Sequence, residues 1–182
     1  MVDKIWPKKG YKRSDFHLTP EQIKELIRHT EKLRDKVMIE LLAYCGLRRF
    51  ELAKIKLEDI NLQTRKIYIV GKKKIRRLAT IYSETLLRDL DTYITYLRNN
   101  QKTGYLFPAV SKLNKKGHIS ITQINRIVTK VGKRAGIQNP IPELKNVNPH
   151  LLRHSCARIL KDRGLDLEII QKVLGHLSRR TI

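Results

Sequence analysis

The sequence predicts a mainly α-helical domain carrying one small antiparallel β element. Three observations predict it. Apolar residues recur at helical spacing behind recognisable start signals through most of the chain. A single segment, residues 66–81, switches to the period of a strand. The charge is strongly one-sided, with 39 Lys+Arg against 17 Asp+Glu and a net +22 over 182 residues.

The length fits one domain, or one domain plus a tail, and a folded chain of this size buries roughly 70% of its unfolded surface. A hydrophobic content of 41% argues against general disorder. The charge points to a polyanion, most simply nucleic acid. A membrane surface is the rival, but no apolar run approaches the ~18 residues of a spanning helix, and no signal peptide opens the sequence. The two cysteines, Cys45 and Cys156, fall within apolar helical patterns. They read as reduced core thiols of an intracellular, cytoplasmic protein, with no CxxC metal site.

Residues 1–18 are basic and lack periodicity, so they are expected to form an arm or linker, and residues 19–182 the domain proper. Thr19, Pro20 and Gln22 spell a capping box, followed by the apolar face of Ile23, Leu26 and Ile27. Val37, Met38, Leu41, Leu42 and Cys45 face inward from a second helix that stops at Gly46. In the next stretch, Gly46-Leu47-Arg48-Arg49-Phe50-Glu51-Leu52, Phe50, Leu52 and Ile55 anchor a short helix. Arg48 then sits among apolar neighbours and needs a partner, because an unpaired buried guanidinium is costly. Glu51 is one partner and a phosphate another.

Residues 66–70 read as a strand, Gly71-Lys72-Lys73-Lys74 as a turn and Ile75 to Ile81 as the returning strand. Such a tip can carry a lysine into a groove. Ser83 caps a helix whose inner face is Leu86, Leu87, Leu90, Tyr93, Ile94 and Leu97. Tyr105 to Pro108 form an extended anchor, and Lys112, Lys115 and Lys116 follow on a loop. Ser120 and Gln123 read as another capping box. The helix behind them turns Ile124, Ile127, Val128 and Val131 inward. Gln123, Asn125, Arg126, Lys130 and Lys133 face outward, where they suit a groove of duplex DNA.

Asn148 and Pro149 then start a helix in which His150 and Arg153 share one face near the positive end. Gly164 stops it, Asp166 is placed to cap another helix over Leu167–Leu174, and Gly175 stops that one just before His176. His154 reads as a packed residue, and His17, His29 and His118 show no partner in the sequence.

Taken together, Gly46-Leu47-Arg48 with Glu51-Leu52, the Gly71-Lys72 hairpin, His150-x-x-Arg153 and Leu174-Gly175-His176 resemble the tyrosine recombinases, the integrase and Xer-type family. The resemblance covers residues 19–182, with the motifs in the family's order. It implies the catalytic-domain fold of that family, clamped on duplex DNA. It also implies site-specific recombination (integration, excision or resolution) through a 3′-phosphotyrosine intermediate. By position, Arg48 and Arg153 would grip the scissile phosphate, each able to donate two parallel hydrogen bonds. Lys72 would protonate the departing 5′ oxygen, with Lys73 and Lys74 as neighbouring alternatives. His150 would take or orient the nucleophile's proton, and His176 would donate to the phosphate.

Arg49, Lys73, Lys74, Lys112, Lys115, Lys116, Gln123, Arg126 and Lys130 would hold the DNA. No cofactor or metal is required, because the cations themselves stabilise the transition state. The resemblance places the nucleophilic tyrosine beyond Ile182, and none of the seven tyrosines takes its position. The expectation is therefore a domain ending before the nucleophile helix, inactive for cleavage by itself. It would be monomeric alone and tetrameric on DNA as part of a longer protein. The alternative is a degenerate, non-cleaving DNA-binding module of the same fold.

Overall fold

In the computed structural model, which describes residues 16–71, 76–99, 101, 103–109 and 115–175, the Thr19 capping box forms as read. Its hydroxyl accepts from the Gln22 amide, and the Gln22 side chain accepts from the Thr19 amide. This starts α1 (Pro20–Arg28), which buries Ile23, Leu26 and Ile27. The packed part of the chain already includes Leu18, fully buried, whose amide donates to Ser155 Oγ at 2.9 Å.

The centre of the domain is α2 (Leu33–Tyr44). It packs against α1 and against four helices that follow it, α3 (Arg49–Lys54), α4 (Glu84–Thr92), α5 (Ile121–Arg134) and α6 (Pro149–Asp162). Every residue from Val37 to Ala43 is buried, Glu40 included. A helix enclosed on all sides cannot be amphipathic, so the inward face read from periodicity is only part of what α2 buries.

Between α3 and α4 lies a three-stranded antiparallel sheet. It consists of β1 (Ile60–Asn61), β2 (Lys66–Val70) and β3 (Arg76–Thr80) in that order. The hairpin was anticipated; β1 was not, since two residues carry no readable period. Strand alternation turns Ile67 and Ile69 into the core and leaves Lys66, Tyr68 and Val70 outside. Ile67 pairs with Ala79 and Ile69 with Arg77, so Arg77 occupies an inward position. The turn residues Lys72, Lys73 and Lys74, with Ile75, lie outside the described residues, as does Lys112.

Ser83 caps α4 through the Leu86 amide. After Thr92 the helix widens over Tyr93–Leu97, and the change of pitch turns Leu97 out, 55% exposed, against the inward position expected of it. Leu106 and Phe107 are fully buried, and the Tyr93 hydroxyl donates to the Leu106 carbonyl at 3.1 Å. Ser120 Oγ accepts from the Gln123 amide at the start of α5.

Asn148 Oδ1 accepts from the Leu151 amide and starts α6, with Pro149 in the first turn. The last helix, α7 (Leu167–Leu174), begins at Asp166, but that side chain makes no capping bond. What holds α7 is burial: Ile170 and Leu174 pack on Cys156 and Ala157 of α6 in a small core of their own. Both cysteines are free and buried. No helix among the described residues is long and apolar enough to cross a membrane.

Candidate functional site

The site forms where the start of α3, the first turns of α6, the inner face of β3 and the end of α7 meet. Glu51 is at its centre, with a side chain 1% exposed. As the third residue of α3 it reaches back to the helix start, where the Arg48 amide donates to Oε2 at 2.8 Å. Arg48 Nη1 donates to Oε1 at 2.9 Å, and Arg77 Nη2 donates to Oε2, also at 2.9 Å. Arg153 Nη1 lies 4.0 Å from the same oxygen. Three guanidiniums thus share one carboxylate. Burial pushes the Glu51 carboxyl up, but the hydrogen bond and charge of Arg77, with the bonds from Arg48, outweigh it and hold the group below the usual carboxylate range.

Further donors of all three arginines go to backbone carbonyls at the end of α7, while Arg77 Nε stays buried without a hydrogen-bond partner among the described residues. The last carbonyls of a helix have no partner within it, and its C-terminal end favours positive charge. Arg77 Nη1 donates to the Val173 carbonyl at 2.7 Å. Arg153 Nη2 donates to the carbonyls of Leu174 and of Gly175, the latter at 3.3 Å, and Arg48 Nη2 donates to Gly175 at 2.7 Å. Arg153 Nη1 donates to the Gly46 carbonyl. Arg153 is 3% exposed, and burial, then the charge of Arg48, brings its pKa down to about 10. It therefore stays a cation near neutral pH. Arg48 keeps a third of its side chain exposed, at 32%.

Two glycines permit this packing. Gly175 ends α7 with φ +68°, and a Cβ there would lie 2.6 Å from Arg77 Cδ. Gly46, at φ +56°, would drive a Cβ into Leu174. Both combine the left-handed backbone with close approach, and only glycine meets the two demands together.

Of the residues singled out in the sequence, Arg48 and Arg153 converge on the Gly175 carbonyl although they are far apart in the chain. His150 is exposed on the first turn of α6. Lys72 and His176 lie outside the described residues. Around this centre, exposed Arg49 approaches Asn125 of α5, with Nη1 3.5 Å from Oδ1. Gln123, Arg126 and Lys130 line a separate groove with Arg34 and Arg134, so α5 presents its polar residues in two directions. Lys115 and Lys116 are exposed on their loop.

His154 is 9% exposed, in keeping with its reading as a packed residue. The other histidines do have neighbours: His29 Nδ1 is 3.1 Å from Glu25, His17 faces Asp162 at 4.0 Å, and the His118 ring packs edge-on against Tyr105. Among the described residues no group of three or more His, Cys, Asp or Glu could hold a metal ion.

Arg77 was missed in the sequence. Its signal was the register: once Ile67 and Ile69 face inward, the antiparallel partner strand must turn Arg77 and Ala79 the same way. A charged residue at an inward position asks for a counter-charge.

The sequence pattern of the Phage integrase family matches residues 17–182. The tyrosine recombinase XerA of Pyrococcus horikoshii is 34% identical over 164 residues, covering 90% of this chain and 54% of that protein. A tyrosine recombinase of Pseudothermotoga lettingae is 32% identical over 177 residues, covering 96% and 57%. The chain thus spans about half the length of the curated relatives it matches. A solved XerA recombinase superposes with a TM-score of 0.76 at 31% identity, over 89% of this chain and 56% of that one. A lambda integrase dimer bound to a COC′ core site gives 0.66 at 18% identity, over 89% and 57%, a likeness of fold. Motifs, fold and a match over nearly the full length agree: the chain belongs to the phage integrase family of tyrosine recombinases.

Proposed function

We propose that this chain is the catalytic region of a site-specific recombinase that cleaves and rejoins duplex DNA through a 3′-phosphotyrosine intermediate, without metal or other cofactor. One observation carries the reading. Arg48 and Arg153 aim their guanidiniums at a single acceptor oxygen, beside a carboxylate that neutralises only part of the local charge. A non-bridging phosphate oxygen is the same kind of acceptor with more negative charge, and guanidiniums bind it in paired, charge-assisted hydrogen bonds.

Arg48 meets the scissile phosphate from its exposed side. Arg153 reaches it by exchanging the α7 carbonyls for phosphate oxygens. His150 takes or orients the nucleophile's proton. Lys72 gives a proton to the departing 5′ oxygen, and His176 donates to the phosphate. Arg49, Lys115, Lys116, Gln123, Arg126 and Lys130, together with Lys73, Lys74 and Lys112, hold the flanking backbone. The partners are double-stranded DNA and further copies of the whole protein, as a tetramer on DNA, in the cytoplasm. In this reading the attacking group is a tyrosine of the whole protein, and adduct formation is tested with that tyrosine present.

The test uses the chain extended at its C terminus by a tyrosine-bearing segment, and a nicked duplex selected by the protein from a randomised pool. A covalent 3′ adduct should form in the presence of a chelator. Arg153→Ala should lower its rate by about 10³–10⁵, by analogy with arginines in other phosphoryl transfers, while DNA affinity falls far less. Affinity itself should fall by roughly 10³–10⁵ between 50 and 200 mM salt if six to ten phosphates are contacted. No adduct, or equal loss of binding and cleavage in Arg153→Ala, would replace this reading with a non-cleaving DNA-binding module of the same fold.

A further inference from the structure

We propose that Arg77 is a positioning residue of the phosphate clamp, tying the β-hairpin to the start of α3 and the end of α7. For its chemistry the proposal rests on the recombinase reading; for its mechanics it stands on the geometry.

Arg77 is the one inward-facing charge of β3 among the described residues, its side chain 9% exposed. It holds two elements at once. Nη2 bonds Glu51 Oε2, the carboxylate that also fixes the amide and guanidinium of Arg48. Nη1 bonds the Val173 carbonyl, two residues before the Gly175 carbonyl on which Arg48 and Arg153 converge. Gly175 leaves no room for a side chain where Arg77 passes. A residue inside a strand paired along its whole length with β2 therefore fixes the carboxylate that aims Arg48. It also fixes the helix end that both arginines cap.

Neither bond uses a group that would touch DNA. Without Arg77, Glu51 keeps only Arg48 and the more distant Arg153, and the end of α7 loses the hydrogen bond that joins it to β3. The clamp keeps both of its own arginines but loses their fixed separation. Misplacement of about 1 Å at a reacting phosphate is enough to cost about 10²-fold in rate. Overall affinity, spread over many phosphates, should hardly notice.

Two measurements test this. In the chain as it stands, Arg77→Gln should speed amide hydrogen exchange about tenfold in peptides covering residues 46–52 and 170–175, leaving α5 unchanged. Unchanged exchange at both segments, or a uniform rise everywhere, would overturn the tether. In the extended, tyrosine-bearing protein, Arg77→Gln should lower single-turnover cleavage at saturating protein by about 10²-fold, with DNA affinity changed less than about threefold. Arg77→Lys, which keeps the charge on Glu51 but cannot span both partners, should recover about tenfold of that loss.

A duplex with sulfur in place of the bridging 5′ oxygen separates the clamp from the acid. Tyrosine attack forms the O–P bond as the P–S bond breaks. The sulfur then leaves with the bonding pair as a thiolate that needs no proton donor, a thiol being far more acidic than an alcohol. The defect of Arg77→Gln should persist on this substrate. Recovery of the rate there would overturn the proposal and put Arg77 in the service of leaving-group protonation. Loss of cleavage in proportion to binding would overturn it as well. If the unmutated extended protein forms no adduct while Arg153→Ala binds DNA normally, the recombinase reading fails, and hydrogen exchange alone decides the tether.

Discussion

Glu51 and Glu40 lie on neighbouring helices and are equally removed from water, at 2% and 0% exposure. Their surroundings drive them in opposite directions. Glu51 receives hydrogen bonds from one amide and two guanidiniums, and stays ionised below the usual carboxylate range. Among the described residues no amide or guanidinium donates to Glu40; its carboxyl faces the Asp89 carboxyl, and a hydrogen bond between the two also favours the protonated form. Burial, and then the nearby charge of Asp89, push its pKa up to about 7, and Lys36 and Arg88 offset only part of this. Lys36 is already paired with Asp89. Burial sets the cost of a charge, and partners decide whether the charge is kept. The arginine cluster is where the fold keeps one.

The widest separation between the two comes from removing each charge in turn. Glu51→Gln leaves three guanidiniums around a neutral amide, and stranding buried charges costs about 3–5 kcal/mol. In a domain of this size that lowers the melting midpoint by roughly 10 °C. Thermal unfolding near neutral pH measures it. A midpoint within a degree or two of the parent would mean that the α7 carbonyls alone satisfy the arginines. Wild-type stability should also fall in acid, since a depressed carboxyl contributes above its unfolded pKa and loses that contribution as pH falls through the folded value.

Much of this frame was legible before any coordinates. Thr19, Ser83, Ser120 and Asn148 announced their helices because a side-chain oxygen beside an apolar run satisfies orphan amides wherever it occurs. That Arg48 and Arg153 meet was legible through the resemblance of their motifs to one family, since neither helix by itself says what its arginine will face. What escaped depends on tertiary partners. Glu40 falls outside the inward set of α2 by periodicity and is buried because helices cover α2 on every side. Arg77 needs the strand register. Asp166 has the right residue type for a cap and makes no capping bond, so local propensity yielded there to the packing of Ile170 and Leu174. Leu97 was read on an ideal helix that the molecule does not continue.

The next effect in size has the opposite sign. Glu40→Gln removes a carboxylate that the folded state ionises reluctantly. Below about pH 4.5 the group is neutral in both states. As pH rises the unfolded chain ionises first, while the folded chain holds its proton until about 7. Stability is lost across that window. The full difference corresponds to about 3 kcal/mol. At pH 8 the variant should therefore be more stable than its parent, by up to that amount. At pH 4 the two should agree closely, apart from the unpartnered amide. Denaturant midpoints at both pH values check it. A variant destabilised equally at both would show that Glu40 is ionised and partnered in the folded protein, and the contrast with Glu51 would disappear.

The smallest effect divides the causes at Glu40. Burial is the larger influence and the charge of Asp89 the next. Asp89→Asn removes the second and leaves the first, and it also frees the Lys36 ammonium to face Glu40. The Glu40 pKa should then drop by about one unit, which is worth about 1 kcal/mol. That is less than half of its displacement, because α2 stays enclosed on every side whether or not residue 89 is charged. The readout is the Glu40 side-chain carboxyl carbon followed by NMR from pH 4 to 9 in both proteins. A return to ordinary carboxylate titration in Asp89→Asn would assign the displacement to charge repulsion and leave burial with little part in it. No change at all would mean that Lys36 already screens Asp89 from Glu40, leaving enclosure as the whole difference between this carboxyl and the one that three arginines hold.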